Sequence, residues 1–68
     1  MPPYQQRVVD EKRELDTKID ALYLFLGTNM YSSLPSKERV LLNNQFNHMV
    51  SYSGILAERI ANFNQESN

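Results

Sequence analysis

Large apolar side chains recur at alternating four- and three-residue steps through the C-terminal half of this chain, at Leu42, Phe46, Met49, Leu56, Ile60 and Phe63. A stripe of this spacing runs along one side of an α-helix and packs against another helix. Ser53 takes one position of the stripe and Gly54 follows it, where glycine costs about 1 kcal/mol relative to alanine. We therefore expect Gly54 either to allow a close helix contact or to form the floor of a pocket.

The N-terminal half carries a matching stripe of Val8, Leu15, Ile19, Leu22 and Leu26. Lys12 stands where this stripe predicts an apolar residue, so it either pairs with an acidic group or extends to solvent. Three pairs have the spacing of ion pairs on one helix, namely Arg7–Glu11, Lys12–Asp16 and Glu14–Lys18. Neither Gly nor Pro interrupts residues 4–26, and Gly27 follows as the expected C-cap with positive φ.

These signals predict one all-α domain over residues 1–68: a helix over 4–26, a loop over 27–34, a helix over 35–63 and a frayed polar tail over 64–68. Two long helices joined by a short loop predict an antiparallel two-helix hairpin of coiled-coil type. Alignment about the loop places residue i of the first helix within about one turn of residue 61 − i of the second. Apolar residues outside both stripes predict assembly into a helical homo-oligomer.

The composition argues against several classes of function. A formal net charge of −1 argues against general nucleic-acid binding, which needs an excess of basic residues. The longest apolar run, 21–26, is too short to cross a membrane, and no signal peptide is recognisable, so a cytoplasmic protein is expected. With no Cys and one His, His48, neither a metal site nor a cofactor is predicted.

The open end of the hairpin is where functional residue types converge. Tyr4 and Arg7 share a face of the first helix, and the alignment places Ser53, Gly54 and Arg59 opposite them. An aromatic ring and guanidinium groups beside a gap can stack a base and bind a phosphate. The alternative is that Tyr4 packs on Leu56 while the arginines are solvated. No nucleophile–base pair is recognisable, so we do not expect an enzyme.

Two stretches resemble a group of small proteins carried by tailed bacteriophages. The first is residues 4–19, and the second comprises Glu38, Leu42, Gln45, Met49, Tyr52, Ser53, Ile55, Leu56, Glu58, Arg59 and Ile60. The architecture is similar, more loosely, to the phage anti-CBASS and anti-Thoeris sponges, which oligomerise and hold cyclic nucleotide immune signals between protomers. This resemblance implies sequestration of a host cyclic nucleotide without cleavage, in the host cell cytoplasm. The alternative is a protein–protein interaction module that inhibits or scaffolds a host or phage protein.

Overall fold

The computed structural model describes residues 1–66 and contains three helices, with no strand in that range. Helix α1 spans Pro3–Leu26, α2 spans Asn29–Ser32 and α3 spans Ser36–Glu66. The predicted all-α class is confirmed. The molecule is a rod of 52 × 15 × 14 Å, and its length is set by α3.

Helix α1 begins at a proline because the first turn of a helix needs no N–H from that residue. The carbonyl oxygen of Pro2 accepts hydrogen bonds from the N–H groups of Gln5 and Gln6, at 3.0 and 3.2 Å. At the other end, Gly27 has a φ of −92°, so the predicted positive φ is wrong. The N–H of Gly27 donates to the carbonyl of Leu24 at 3.2 Å, which ends the helix with a tightened turn instead.

The predicted loop over 27–34 contains the short helix α2, and this part of the prediction is wrong. Thr28 caps α2, because its Oγ1 accepts the N–H of Tyr31 at 3.2 Å and donates to the carbonyl of Phe25 at 2.7 Å. One threonine thus satisfies backbone groups of both α1 and α2. Sequence periodicity does not reveal a helix of one turn, since its four residues are too few to show a period.

Helix α3 is longer than predicted. It begins at Ser36, directly after Pro35, whose carbonyl accepts the N–H of Arg39 at 3.1 Å. It continues to Glu66 rather than ending at Phe63, because residues 64–66 include neither glycine nor proline. The last two residues of the predicted tail, 67 and 68, lie outside the described residues.

Contacts between α1 and α3 follow opposite chain directions. Near one end the rings of Tyr4 and Phe63 meet, and near the other the rings of Tyr23 and Phe46 meet. Residue i of α1 therefore lies near residue 67 − i of α3, and the predicted register of 61 − i is wrong. The reason is α2: the Tyr31 hydroxyl donates to the carbonyl of Arg39 at 3.2 Å, so the first turn of α3 lies beside α2 rather than beside α1.

The apolar core lies at the open end of the helix pair, opposite the α2 turn. Among residues 1–63, whose burial is described, the buried apolar side chains are Val8, Leu56 and Phe63. Leu56 has no exposed surface, and Leu15 and Ile60 pack against this cluster while remaining partly exposed. The core is small, as expected for a chain below roughly 70–80 residues.

Candidate functional site

Tyr4 lies at the edge of the core. Its ring meets Phe63 edge to face, with ring centroids 5.9 Å apart, and 45% of the residue remains exposed. The side-chain amide of the buried Gln5 donates to the Tyr4 hydroxyl at 3.3 Å. The expected packing partner in the alternative interpretation was Leu56, but the ring partner is Phe63. Tyr4 is thus held in place while the residue remains partly exposed.

Arg7 and Arg59 are exposed residues near Tyr4. Arg7 stands one helical turn after Tyr4, and Arg59 stands one turn before Phe63, the residue that Tyr4 contacts. Within the described part of the chain, neither arginine forms a hydrogen bond or an ion pair to a side chain. Both guanidinium groups therefore keep their donors available for an anion.

Tyr52 and Glu11 join this end of the molecule, although the predicted site does not include them. The Tyr52 hydroxyl donates to the Glu11 carboxylate across the two helices. This hydrogen bond, with lesser contributions from desolvation and the Glu11 charge, raises the pKa of Tyr52, and Arg59 opposes that rise. One sequence feature could have added Tyr52 to the predicted site. Tyr52 stands seven residues before Arg59, and this spacing places both residues on one side of α3.

Glu11 explains why Arg7 has no acidic partner on its own helix. The two residues stand at ion-pair spacing on α1, but the carboxylate turns toward Tyr52 of α3. Among the described residues, the predicted pair Lys12–Asp16 forms, at 2.6 Å, whereas Arg7–Glu11 and Glu14–Lys18 do not. The predicted ion pairs are therefore correct for one of the three.

Ser53 belongs to the contact between the helices rather than to the open surface. Its Oγ donates to Asp16 at 2.6 Å and accepts from Lys12 at 3.3 Å. The bonds from Lys12 and Ser53 lower the pKa of the Asp16 carboxyl. Lys12 therefore takes the paired alternative, and the break in the apolar stripe is a polar cross-link between α1 and α3.

Gly54 makes no close helix contact within one chain, so that one of its two predicted roles is wrong. It is exposed, and a Cβ built there would meet no heavy atom within 4 Å. Successive helix residues turn by about 100°, so Gly54 stands about 160° around α3 from Tyr52.

The predicted set of five residues thus separates into two groups. Ser53 and Gly54 lie away from the open surface that the prediction assigned to them. The remaining three share the open end of the molecule with Tyr52. We call the resulting four residues the Tyr–Arg face: Tyr4, Arg7, Tyr52 and Arg59.

Two grooves lie outside the Tyr–Arg face. The larger, of about 620 Å³, is at the turn end, and Tyr23, Phe46 and Asn47 line it with other residues. The smaller, of about 370 Å³, follows α1 past Lys12 and Asp16. Both are open to solvent along the rod.

Residues 1–66 contain no group of three or more acidic, His or Cys side chains placed to hold a metal ion. His48 is exposed on α3. None of the described helices combines the length and the apolar character that crossing a bilayer requires.

The chain has a relative among bacteriophage proteins. It is similar to an uncharacterized 7.5 kDa protein from the denB-rIIB intergenic region of Enterobacteria phage T4, with 41% identity over 63 residues that cover 93% of this chain and 98% of the relative. This confirms the predicted likeness to small bacteriophage proteins. No solved structure gives a significant match. The family model described as Sequestin matches residues 2–62, and the chain therefore belongs to the Sequestin family.

Proposed function

We propose that this phage protein binds a cyclic nucleotide signal of host defence on the Tyr–Arg face and sequesters it without cleavage. It acts as a homo-oligomer of helical hairpins in the host cell cytoplasm, without a cofactor and without enzymatic activity. The family description, Sequestin, denotes sequestration and supports the general function. The observation that carries the proposal is the pair of guanidinium groups without side-chain partners in the described residues, Arg7 and Arg59, beside partly exposed tyrosine rings.

Each residue type has a distinct role in holding such a ligand. A guanidinium group binds phosphate through two parallel N–H donors, and Arg7 and Arg59 both have theirs available. The exposed part of the Tyr4 ring offers a flat surface on which a base can stack. Glu11 stabilises this arrangement by holding the Tyr52 hydroxyl, so its charge is directed away from Arg7. Binding then needs no reacting group on the protein.

Calorimetry tests this proposal. The intact oligomer is titrated with cyclic dinucleotides, cyclic trinucleotides and cyclic ADP-ribose isomers. We expect one class to bind, and Arg7→Gln or Arg59→Gln to weaken it at least about tenfold, since a charge-assisted hydrogen bond contributes about 1.5–3 kcal/mol. Arg13→Gln is the matched control, because Arg13 is an exposed residue of α1 that already pairs with Asp10, at 3.4 Å.

Two results contradict the proposal. One is the absence of binding by every member of the panel. The other is recovery of cleaved rather than intact nucleotide after the complex is denatured, which would indicate an enzyme. Unchanged affinity in both arginine variants would show that the nucleotide binds elsewhere than on the Tyr–Arg face.

A protein–protein interaction module is the second candidate function. Its supporting observation is the set of large apolar side chains on α3 that are about half exposed, namely Val40, Leu41, Val50 and Ile55. This function predicts a stable complex with a host or phage protein in a pull-down experiment. It also predicts that Tyr4→Ala and Arg7→Ala leave the biological activity intact, which is the opposite of the leading proposal.

A further inference from the structure

The larger groove, at the turn end, is a cavity that the Tyr–Arg face does not use. We call it the turn-end groove, and its volume is about 620 Å³. Sites that hold small molecules typically have volumes of about 300–1,000 Å³. At about 1.5 Å per residue, the step from Tyr4 to Tyr23 places the groove about 28 Å along α1 from the Tyr–Arg face. The two sites are therefore separate places on the rod.

Two aromatic rings line the turn-end groove. The ring centroids of Tyr23 and Phe46 are 6.1 Å apart, and the ring planes are tilted by 33°. Carbon atoms in van der Waals contact are about 3.5–4.0 Å apart, so these rings do not cover each other face to face. Tyr23 is 65% exposed, and most of the surface of this aromatic residue is therefore accessible. A flat ring can stack on such a surface.

Two carboxamides supply the polar groups of the groove. The Nδ2 of Asn43 donates to the Tyr31 hydroxyl and, at 3.0 Å, to the carbonyl of Arg39. Both N–H groups of this amide are engaged at the turn, so Oδ1 is the atom that Asn43 can offer to a ligand. The side chain of Asn47 makes no hydrogen bond within residues 1–66, and it offers both a donor and an acceptor.

The residues that line the turn-end groove carry no charge. Besides the two aromatic residues and the two asparagines, they are leucines and a glycine. Helix α3 has no Asp, Glu, Lys or Arg at residues 40–57. A phosphate group would find no cationic partner among these residues, and burial of an unpaired charge is costly. An uncharged ligand meets no such penalty, so the chemistry of the groove is opposite to that of the Tyr–Arg face.

We propose that the turn-end groove binds an uncharged heteroaromatic ring that carries an N–H donor, the chemistry of a nucleobase or nucleoside without phosphate. The ring stacks on Tyr23 and Phe46. Its N–H donates to Oδ1 of Asn43, and the Asn47 amide pairs with a neighbouring donor and acceptor on the ring edge, as carboxamides do with adenine. This site goes beyond the proposed function, because it requires neither a phosphate nor an arginine.

Adenosine is the first probe, since its base is uncharged and carries an amino group. In nitrogen-15 NMR spectra of the whole chain, it should shift the side-chain amide signals of Asn43 and Asn47. The riboside of 6-dimethylaminopurine has no N–H on its base and should bind at least about threefold more weakly, because a hydrogen bond is lost. AMP should bind within about twofold of adenosine, because its phosphate has no cationic partner in the groove.

Two matched pairs of variants locate the site. Tyr23→Ala should weaken adenosine binding at least about fivefold, whereas Tyr23→Phe keeps the ring and should leave binding unchanged. Asn47→Ala should weaken binding at least about threefold, because its hydrogen bonds are lost. Asn44→Ala is its control, since Asn44 is an exposed residue of α3 outside the groove. Should Tyr23→Ala lose helicity, the asparagine pair decides.

Three results would overturn the inference. The first is the absence of binding by adenosine, guanosine and cytidine alike. The second is a set of adenosine-induced shifts confined to the Tyr–Arg face, and the third is equal affinity for adenosine in all four variants. Arg7→Gln should leave adenosine binding unchanged. Cyclic nucleotide binding can therefore fail while adenosine binding persists, so the two proposals are separable.

Discussion

The two ends of the molecule are held together by different kinds of interaction. At the open end, Val8, Leu56 and Phe63 are buried against one another. At the turn end, Phe46 is only partly buried and lines an open groove, and the local structure depends on hydrogen bonds from Thr28 and Tyr31. The largest apolar contact is thus the one farthest from the covalent connection.

This difference has a physical reason. A short connection already keeps the neighbouring helix ends close, so little packing is needed there. The opposite ends have no covalent link, and only burial of apolar surface opposes their separation. Hydrogen bonds at the turn set the direction in which α3 leaves the turn. The core at the opposite end keeps α3 packed against α1.

Truncation of the core leucine should have the largest effect. Leu56→Ala is expected to lower the free energy of unfolding by about 2–5 kcal/mol, because it leaves a cavity where the side chain is fully buried. Urea denaturation at a fixed protein concentration measures this. Leu24→Ala is the control, since that residue is 71% exposed and should change stability little. Equal losses of stability in Leu56→Ala and Leu24→Ala would contradict the conclusion that the open end holds the largest apolar contact.

Loss of one hydroxyl at the turn should have a smaller effect. Tyr31→Phe keeps the ring that contacts Phe25 but removes the bonds to the Arg39 carbonyl and to the Asn43 amide. We expect a loss of about 0.5–1.5 kcal/mol in thermal or urea unfolding. Tyr23→Phe should be neutral, since it keeps the aromatic ring at the turn-end groove. A neutral Tyr31→Phe would show that the turn does not depend on this hydroxyl.

Loss of the polar contact that Asp16 makes with Lys12 and Ser53 should have the smallest effect on stability, and that effect should depend on pH. Lys12 and Ser53 lower the pKa of Asp16 below its ordinary value of 3.8. The folded state then binds a proton less readily than the unfolded state, so the contribution is present above about pH 4 and is lost as the pH falls through the folded pKa.

Comparison of Asp16→Asn with the natural chain measures that contribution. We expect a difference of a few tenths of a kcal/mol near neutral pH, since the Asp16 side chain is 43% exposed, and a smaller difference as the pH falls below about 4. Asp20→Asn is the control on the same helix. A difference that persists unchanged in acid would contradict the role given to the Asp16 charge.

Part of the fold follows directly from the order of residues. Apolar spacing alone predicts that Leu56 and Phe63 face another helix, because a helix period of 3.6 residues brings such positions to one side. Both are buried. The position of Ser53 in that stripe also predicts a polar break. Its partners, Lys12 and Asp16, could not be identified, since they depend on how α1 lies along α3.

The register and the site depend on the tertiary structure. The short helix α2 shifts the alignment of α1 with α3 by about six positions, which moves Ser53 away from Arg7 and brings Phe63 to Tyr4. The same geometry pairs Tyr52 with Glu11. Residue spacing therefore determined which side of each helix is apolar, because that is a local property. Only the packed structure decided which residues meet across the helices, because one turn of helix in the connection sets that alignment.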